Sequence, residues 1–336
     1  MEREVKEKLW NGDREAQIEG AIELSRLSSK RRHKLVESGV IEPLISMLHS
    51  QSYEAIEASL SALLSLAYGS ERHKILIMKS GVLPVLFNLF HCQCQRVIEL
   101  AIAAMLTLSS CKENKVAFAS SGAVKLLVEF VNSNNNIIES KLDAIATLHN
   151  LTTFKEIIPL IISSGVILSL LELIHNSFKS STLVEKAMGL LESIVSSSRS
   201  ALCKAASIGG AIKILVETIE DGSLLGKEHA VVILLLICKS CREKYRGLIL
   251  REGVMPGLLQ LSVDGTWRSK NMARELLLLL RDSCDCSKST HNKEMKNHEL
   301  IGRIMEEIDA EGEKMADSKL RLVEEMIAKL NVISFN

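Results

Sequence analysis

The sequence predicts an all-α protein: a solenoid of about six short helical repeats followed by a C-terminal helical extension. Three observations carry this. A glycine-marked phrase returns at a fixed period, with Gly39, Gly81, Gly122, Gly165, Gly210 and Gly253 lying 42, 41, 43, 45 and 43 residues apart, a spacing typical of helical repeat arrays. Apolar residues are 47% of the 336 residues but aromatics only 4%, with 4 prolines. The core is therefore Leu, Ile, Val, Ala and Met with few chain breakers, which suits helices. Between the glycines the apolar residues recur at helical spacing, as in Ile98, Ile102, Met105 and Leu106.

The elements follow in order. Residues 1–283 read as the solenoid, with a leading half-repeat at 13–29 and repeats starting near 33, 73, 114, 157, 202 and 245. Each repeat opens on a short helix, such as 114–121, that runs into the marker glycine, where the missing Cβ permits a sharp turn. A second helix follows, with Pro43, Pro84 and Pro256 near its start, where a missing N–H costs little. Next comes a polar loop such as 133–136, and then the longest helix, as in Ile138, Leu142, Ile145, Leu148 and Leu151. Such a unit cannot bury its apolar face alone and must stack on its neighbours. Residues 284–298 read as a polar linker. Residues 299–331 read as an amphipathic helix through Ile301, Ile304, Met305, Ile308, Met315, Leu320, Val323, Met326, Ile327 and Leu330. Two readings of that helix compete: a cap on the last repeat, or a surface for a partner or a second copy. A monomer is expected, with self-association through this helix as the alternative.

Charge and targeting bound the function. Lys+Arg is 41 and Asp+Glu is 41, whereas a coat for nucleic acid or an anionic membrane carries excess positive charge. No nucleic-acid and no membrane partner is expected. The first residues, Met-Glu-Arg-Glu-Val-Lys-Glu-Lys, hold no apolar core of a secretory signal. The eight cysteines then read as reduced thiols, and the expected location is cytoplasmic, with the nucleus as a second compartment. The apolar run 157–174 is interrupted by Pro159, Ser163, Ser164, Gly165 and Glu172, and the run 231–238 is too short to span a bilayer.

The three-helix pattern, with its glycine hinge, Pro-Leu second helix and Ala-rich third helix, resembles the armadillo repeat family over about 13–283. A finer match lies at 265–281. There Gly265, Thr266, Arg268, Lys270 and Ala273, followed by leucines, are similar to the closing helix of plant U-box/armadillo proteins. The U-box itself is expected to be absent, because the first 12 residues cannot hold a folded domain. The resemblance implies a right-handed superhelix whose third helices line a concave groove. It also implies a non-enzymatic scaffold or adaptor that binds a protein or peptide segment there. Substrate recognition in ubiquitin ligation is the alternative, and nuclear transport is a weaker one.

The family's peptide-binding members carry an Asn ladder near the end of the third helices. The matching positions here hold Arg26, Ser65, Thr107, Asn150, Ser193 and Leu236, so Asn150 alone keeps the amide. One turn earlier, where nuclear-import members have Trp, stand Ser61, Ala103, Ala146, Gly189 and Val232. A receptor for nuclear-localisation signals is therefore disfavoured. Eight residues before the Asn slot stand Glu57, Glu99, Leu142, Glu185 and Glu228. Carboxylates spaced one repeat apart can attract a basic segment, and Glu is equally an ordinary exposed helix residue.

Other constellations are weaker. Cys238 and Cys241, with Cys284, Cys286, His291 and His298, have zinc-like spacing, but Cys238 falls in an apolar helix, where Cys acts as a small hydrophobe. No metal is expected. Residues 30–34 (Lys-Arg-Arg-His-Lys) are of the nuclear-targeting kind and read as a solvated inter-repeat loop. No phosphate-cradling glycine loop and no nucleophile–base spacing occur, so no catalytic residue and no cofactor are assigned.

Overall fold

The computed structural model describes residues 2–133 and 138–281. The linker at 284–298, the helix at 299–331, Cys284, Cys286, His291, His298 and most of the loop 133–136 lie outside the described residues. Among the described residues every regular element is helical.

The helices run α1 (Glu2–Asn11), α2 (Arg14–Arg26), α3 (Ser29–Glu37), α4 (Ile41–Met47), α5 (Tyr53–Ala67), α6 (Glu71–Lys79), α7 (Val82–Leu89), α8 (Gln95–Ser109), α9 (Lys115–Ser120), α10 (Ala123–Asn132) and α11 (Ile138–Thr152). After a 3-10 turn at Lys155–Ile157 come α12 (Ile158–Ser163), α13 (Val166–His175), α14 (Thr182–Ser197), α15 (Arg199–Ser207), α16 (Ala211–Asp221), α17 (Leu224–Ser240), α18 (Arg242–Arg251), α19 (Met255–Asp264) and α20 (Trp267–Leu280). They fall into two compact units that divide between Ser169 and Leu170.

The marker glycines do what the phrase requires. All six have φ between 76° and 88°, left-handed values that cost a residue with a Cβ about 1–2 kcal/mol. At Gly81, Gly122, Gly165, Gly210 and Gly253 an added Cβ would meet nothing within 4 Å. Backbone angle, not space, therefore demands glycine there. Four of the third helices, α5, α14, α17 and α20, are fixed at their starts by hydroxyl caps. Ser52, Ser181, Ser223 and Thr266 accept hydrogen bonds from the N–H groups of Ala55, Val184, Gly226 and Ser269, satisfying donors that the first helical turn leaves orphaned.

In the first unit the third helices pack in succession, α2 on α5, α5 on α8 and α8 on α11. Leu24, Leu60, Ile102, Met105, Phe118 and Leu148 are fully buried there. Each such side chain stabilises by roughly 1.5–3 kcal/mol. Two buried polar side chains of this unit show how such groups are satisfied: Ser59 donates to the Leu44 carbonyl at 2.6 Å, and the Asn114 amide donates to the Leu108 carbonyl at 3.0 Å and the Lys74 carbonyl at 3.2 Å. In the second unit α14 packs on α17 and α17 on α20, around Leu191, Val231, Leu234 and Leu277.

One element is added to the sequence reading and one reading is corrected. The charged first residues, to which the sequence pattern assigns no helix, form α1, which packs on α2 through the fully buried Val5 and Leu9. Gly20 makes room, since a Cβ there would sit 3.0 Å from the Lys8 Cβ. Residues 30–34 are not a loop but belong to α3, anchored by the buried Leu35 and Val36. Glu2 faces Arg31 at 4.0 Å and Lys34 at 3.8 Å. His33 stacks on the buried His73, with ring nitrogens 3.0 Å apart. The apolar run 157–174 breaks into α12 and α13 at Gly165. No single helix among the described residues is long and apolar enough to cross a membrane.

Candidate partner-binding face

At about 100° of rotation per residue, the Glu, Trp-slot and Asn-slot positions fall within an arc of roughly 80° on each third helix. In the first unit Arg26 is exposed, while Glu57, Ser61, Ser65, Glu99, Ala103, Thr107, Ala146 and Asn150 are half-buried. Thr107 donates its hydroxyl to the Ala103 carbonyl at 2.9 Å, within its own helix. Asn150 donates its amide to the Ser109 hydroxyl of the preceding third helix at 3.1 Å. Glu99 accepts from Gln95 at 2.9 Å and from Arg96 at 3.4 Å. Glu57 accepts the thiol of Cys94, the residue that opens α8, at 3.6 Å.

The second unit repeats that last contact in stronger form. Glu185 accepts from the Ser223 hydroxyl at 2.8 Å, and Ser223 caps α17. Glu228, only 9% exposed, accepts from the hydroxyl of Thr266, which caps α20. Glu57, Glu185 and Glu228 thus each reach the residue that opens the next third helix. Orphaned N–H groups and the helix dipole favour a carboxylate there. At Glu57, Glu185 and Glu228 the recurring Glu is an inter-repeat staple, and its oxygens face the chain's own donors.

Around Glu228 lies a network that crosses three successive third helices. Glu192, one residue before Ser193, is bonded to the His229 Nδ1 at 2.6 Å and to the Arg268 guanidinium at 2.5 Å. Arg268 reaches Glu228 with its other arm at 3.0 Å. Burial by itself would raise the Glu192 carboxyl, but the hydrogen bonds from His229 and Arg268 override it and hold the group below the ordinary carboxylate value. Arg268 is held above its ordinary value, chiefly by the bond to Glu192. Gly189 explains how the imidazole fits. A Cβ there would lie 3.2 Å from the His229 Nε2, so the ring of one repeat fills the Trp slot of the one before. Ser193 completes this face, half-buried and bonded. Reading the sequence missed Glu192, His229 and Arg268. Pairing opposite charges near one repeat apart, such as Glu192 with His229 and Glu228 with Arg268, would have found them.

Cys238 is fully buried, and burial pushes its thiol up. Among the described residues no group of three or more His, Cys, Asp or Glu is placed to hold a metal ion.

Glycine-hinged three-helix repeats stacked through their third helices define an α-solenoid of the armadillo class. Residues 28–68 match the armadillo/beta-catenin-like repeat, and residues 122–301, more than half the chain, match the plant U-box protein ARM repeat region. The chain belongs to the family of plant U-box protein ARM repeat regions. It is similar to U-box domain-containing protein 45 of Arabidopsis thaliana, at 29% identity over 179 residues. That stretch covers 52% of this chain and 22% of the relative, so the chain spans about a fifth of the length of that protein. The crystal structure of an engineered protein shares the fold, with a TM-score of 0.73 and 23% identity, covering 96% of this chain and 76% of that one. A second engineered protein gives 0.62 and 25%, covering 71% and 96%.

Proposed function

We propose that this chain is a non-enzymatic scaffold that binds a segment of a partner protein on the outward face of its third helices. The observation that supports this is that Ser61, Ala103 and Ala146, equivalent positions of α5, α8 and α11, are half-buried and not fully buried, as are the neighbouring Leu100 and Leu142. The apolar part that such positions leave in water gains by being covered. The test is an affinity pull-down read by mass spectrometry, comparing wild type with Ala103→Arg and Ala146→Arg, each checked by circular dichroism. Loss of specific partners from both folded variants is expected. An unchanged partner list would overturn the reading. The Glu staples are poor targets for this test, because reversing them strikes the stacking itself.

The second reading is that the chain presents substrates for ubiquitin ligation, motivated by its similarity to a U-box protein. Chain formation with purified protein, E1 and E2 separates the two. Activity without an added ligase would refute the scaffold reading, whereas activity on a captured partner only when a ligase is supplied would support the second one.

A further inference from the structure

We propose that the edge of α20 on which a further repeat would stack is the docking site of the chain's own C-terminal segment, residues 299–331, seated there as an acidic amphipathic helix.

Repeat equivalence identifies the edge. Ser109 of α8 accepts from Asn150 of α11, and Glu192 of α14 binds His229 of α17. Ser109 stands ten residues after Glu99, and Glu192 seven after Glu185. The third, seventh and tenth residues after the Glu slot share an arc of about 60°, so this is the side that a third helix turns toward its successor. From α5 to α17 the third position holds Leu60, Ile102, Ile145, Met188 and Val231, and the tenth holds Ala67, Ser109, Thr152, Val195 and Cys238. All of them are buried.

Helix α20 breaks both ladders. The caps Ser223 and Thr266 align α17 with α20. Asn271 then takes the Glu slot, and Arg274 and Arg281 take the two buried positions. Between them Leu278 is 54% exposed, whereas its equivalent in α17, Leu235, is 2% exposed. Trp267, on the same side of the first turn, is exposed as well. The Arg274 Nε is buried with no hydrogen-bond partner, a donor that costs free energy until an acceptor reaches it. Among the described residues no helix follows α20.

Charge says what fits this edge. A further apolar repeat would bury guanidinium groups unpaired, at high cost. A helix with carboxylates beside its apolar stripe would pair them and cover Trp267 and Leu278. Residues 299–331 offer that pattern. Ile301, Ile304, Met305, Ile308 and Met315 form a stripe at helical spacing, and Glu307 and Glu311 flank it one turn apart. Lys270 and Arg274 have the same four-residue spacing on α20. The carboxylate on α20 itself, Glu275, is already held by Lys239 at 2.5 Å.

Position favours the same occupant. The 17 residues 282–298 start from Arg281, on the edge itself. They can span at most about 60 Å, against about 21 Å for the length of α20. Gly302 and Gly312 make 299–331 a poor helix in isolation, so it gains from a surface to fold against.

Hydrogen exchange on the full chain, read by mass spectrometry, tests this. Amides of 299–331 should be protected in the wild type. Glu307→Lys with Glu311→Lys leaves every described residue unchanged. It should speed exchange in 299–331 and in the last turns of α20 at least about tenfold. Adding Lys270→Glu and Arg274→Glu should restore most of that protection. In a Trp10→Phe background Trp267 is the remaining tryptophan, and the Lys pair should make acrylamide quench it more strongly. Sedimentation should show a monomer at every concentration. Unprotected 299–331 amides in the wild type, or protection unmoved by the Lys pair, overturns the proposal. So does a swapped variant with wild-type circular dichroism but no recovered protection. Protection that vanishes as a dimer is diluted apart would give the edge to a second copy and overturn it equally.

Discussion

At the scale of single residues, two adjacent glycines separate conformational need from mere smallness. Gly210 has φ 82°, whereas Gly209 is not among the positive-φ glycines, and a Cβ at either meets nothing within 4 Å. Gly210→Ala should therefore destabilise by about 1–2 kcal/mol, and Gly209→Ala should stay within about 0.5 kcal/mol, both read from urea midpoints. Glu192 gives a second prediction at this scale. Its carboxyl is held below the ordinary value of 4.5 in the folded chain, so the unfolded chain binds that proton more tightly. Its contribution to stability is then complete above about pH 4.5 and disappears as pH falls through the lower folded value. Urea midpoints measured from pH 6 downward should fall more steeply for wild type than for Glu192→Gln. Parallel curves would mean that His229 and Arg268 do not hold the carboxylate in solution.

At the scale of elements, the unit of cohesion is a third helix stapled to the next. Glu185 and Ser223 are the clearest pair, because Ser223 both caps α17 and donates to the carboxylate from α14. A double-mutant cycle with Glu185→Ala and Ser223→Ala should return a coupling of about 0.5–1.5 kcal/mol. A coupling near zero would reduce the staple to two independent helix-end effects. These contacts also mark where the sequence was legible. The repeat period and the glycine turns were visible because left-handed φ leaves a residue-type signature at every turn. The Glu recurrence was visible too, but not its meaning, because the donors at Cys94, Ser223 and Thr266 lie 37 to 38 residues away. Helix α1 escaped notice because Val5 and Leu9 are a two-residue stripe among charges. In α3, likewise, only Leu35 and Val36 betray a packed helix beneath a basic run. A short amphipathic element needs a surface to bury against, and its own residues do not reveal that surface. The network of Glu192, His229 and Arg268 was hidden for the same reason, since three helices must stack before it exists.

At the scale of the whole molecule, packing is local along the chain. Third helices touch their immediate successors within each unit, and first and second helices pack within or next to their own repeat. A protein so connected stores its stability as a sum of repeat and nearest-neighbour terms, so a wound in one place is felt mainly by its neighbours. Phe118, fully buried in the first unit, is the position at which to wound it. Phe118→Ala should cost about 3–5 kcal/mol locally, by lost transfer energy and the cavity left behind. By hydrogen exchange, amides of α8, α10 and α11 should open faster, while those of α17 and α20 keep wild-type protection. In calorimetry the measured enthalpy should exceed the van't Hoff value, because units held by nearest-neighbour contacts need not melt together. Uniform acceleration across α17 and α20, with equal enthalpies, would mean instead that the chain behaves as one cooperative body despite its local contacts.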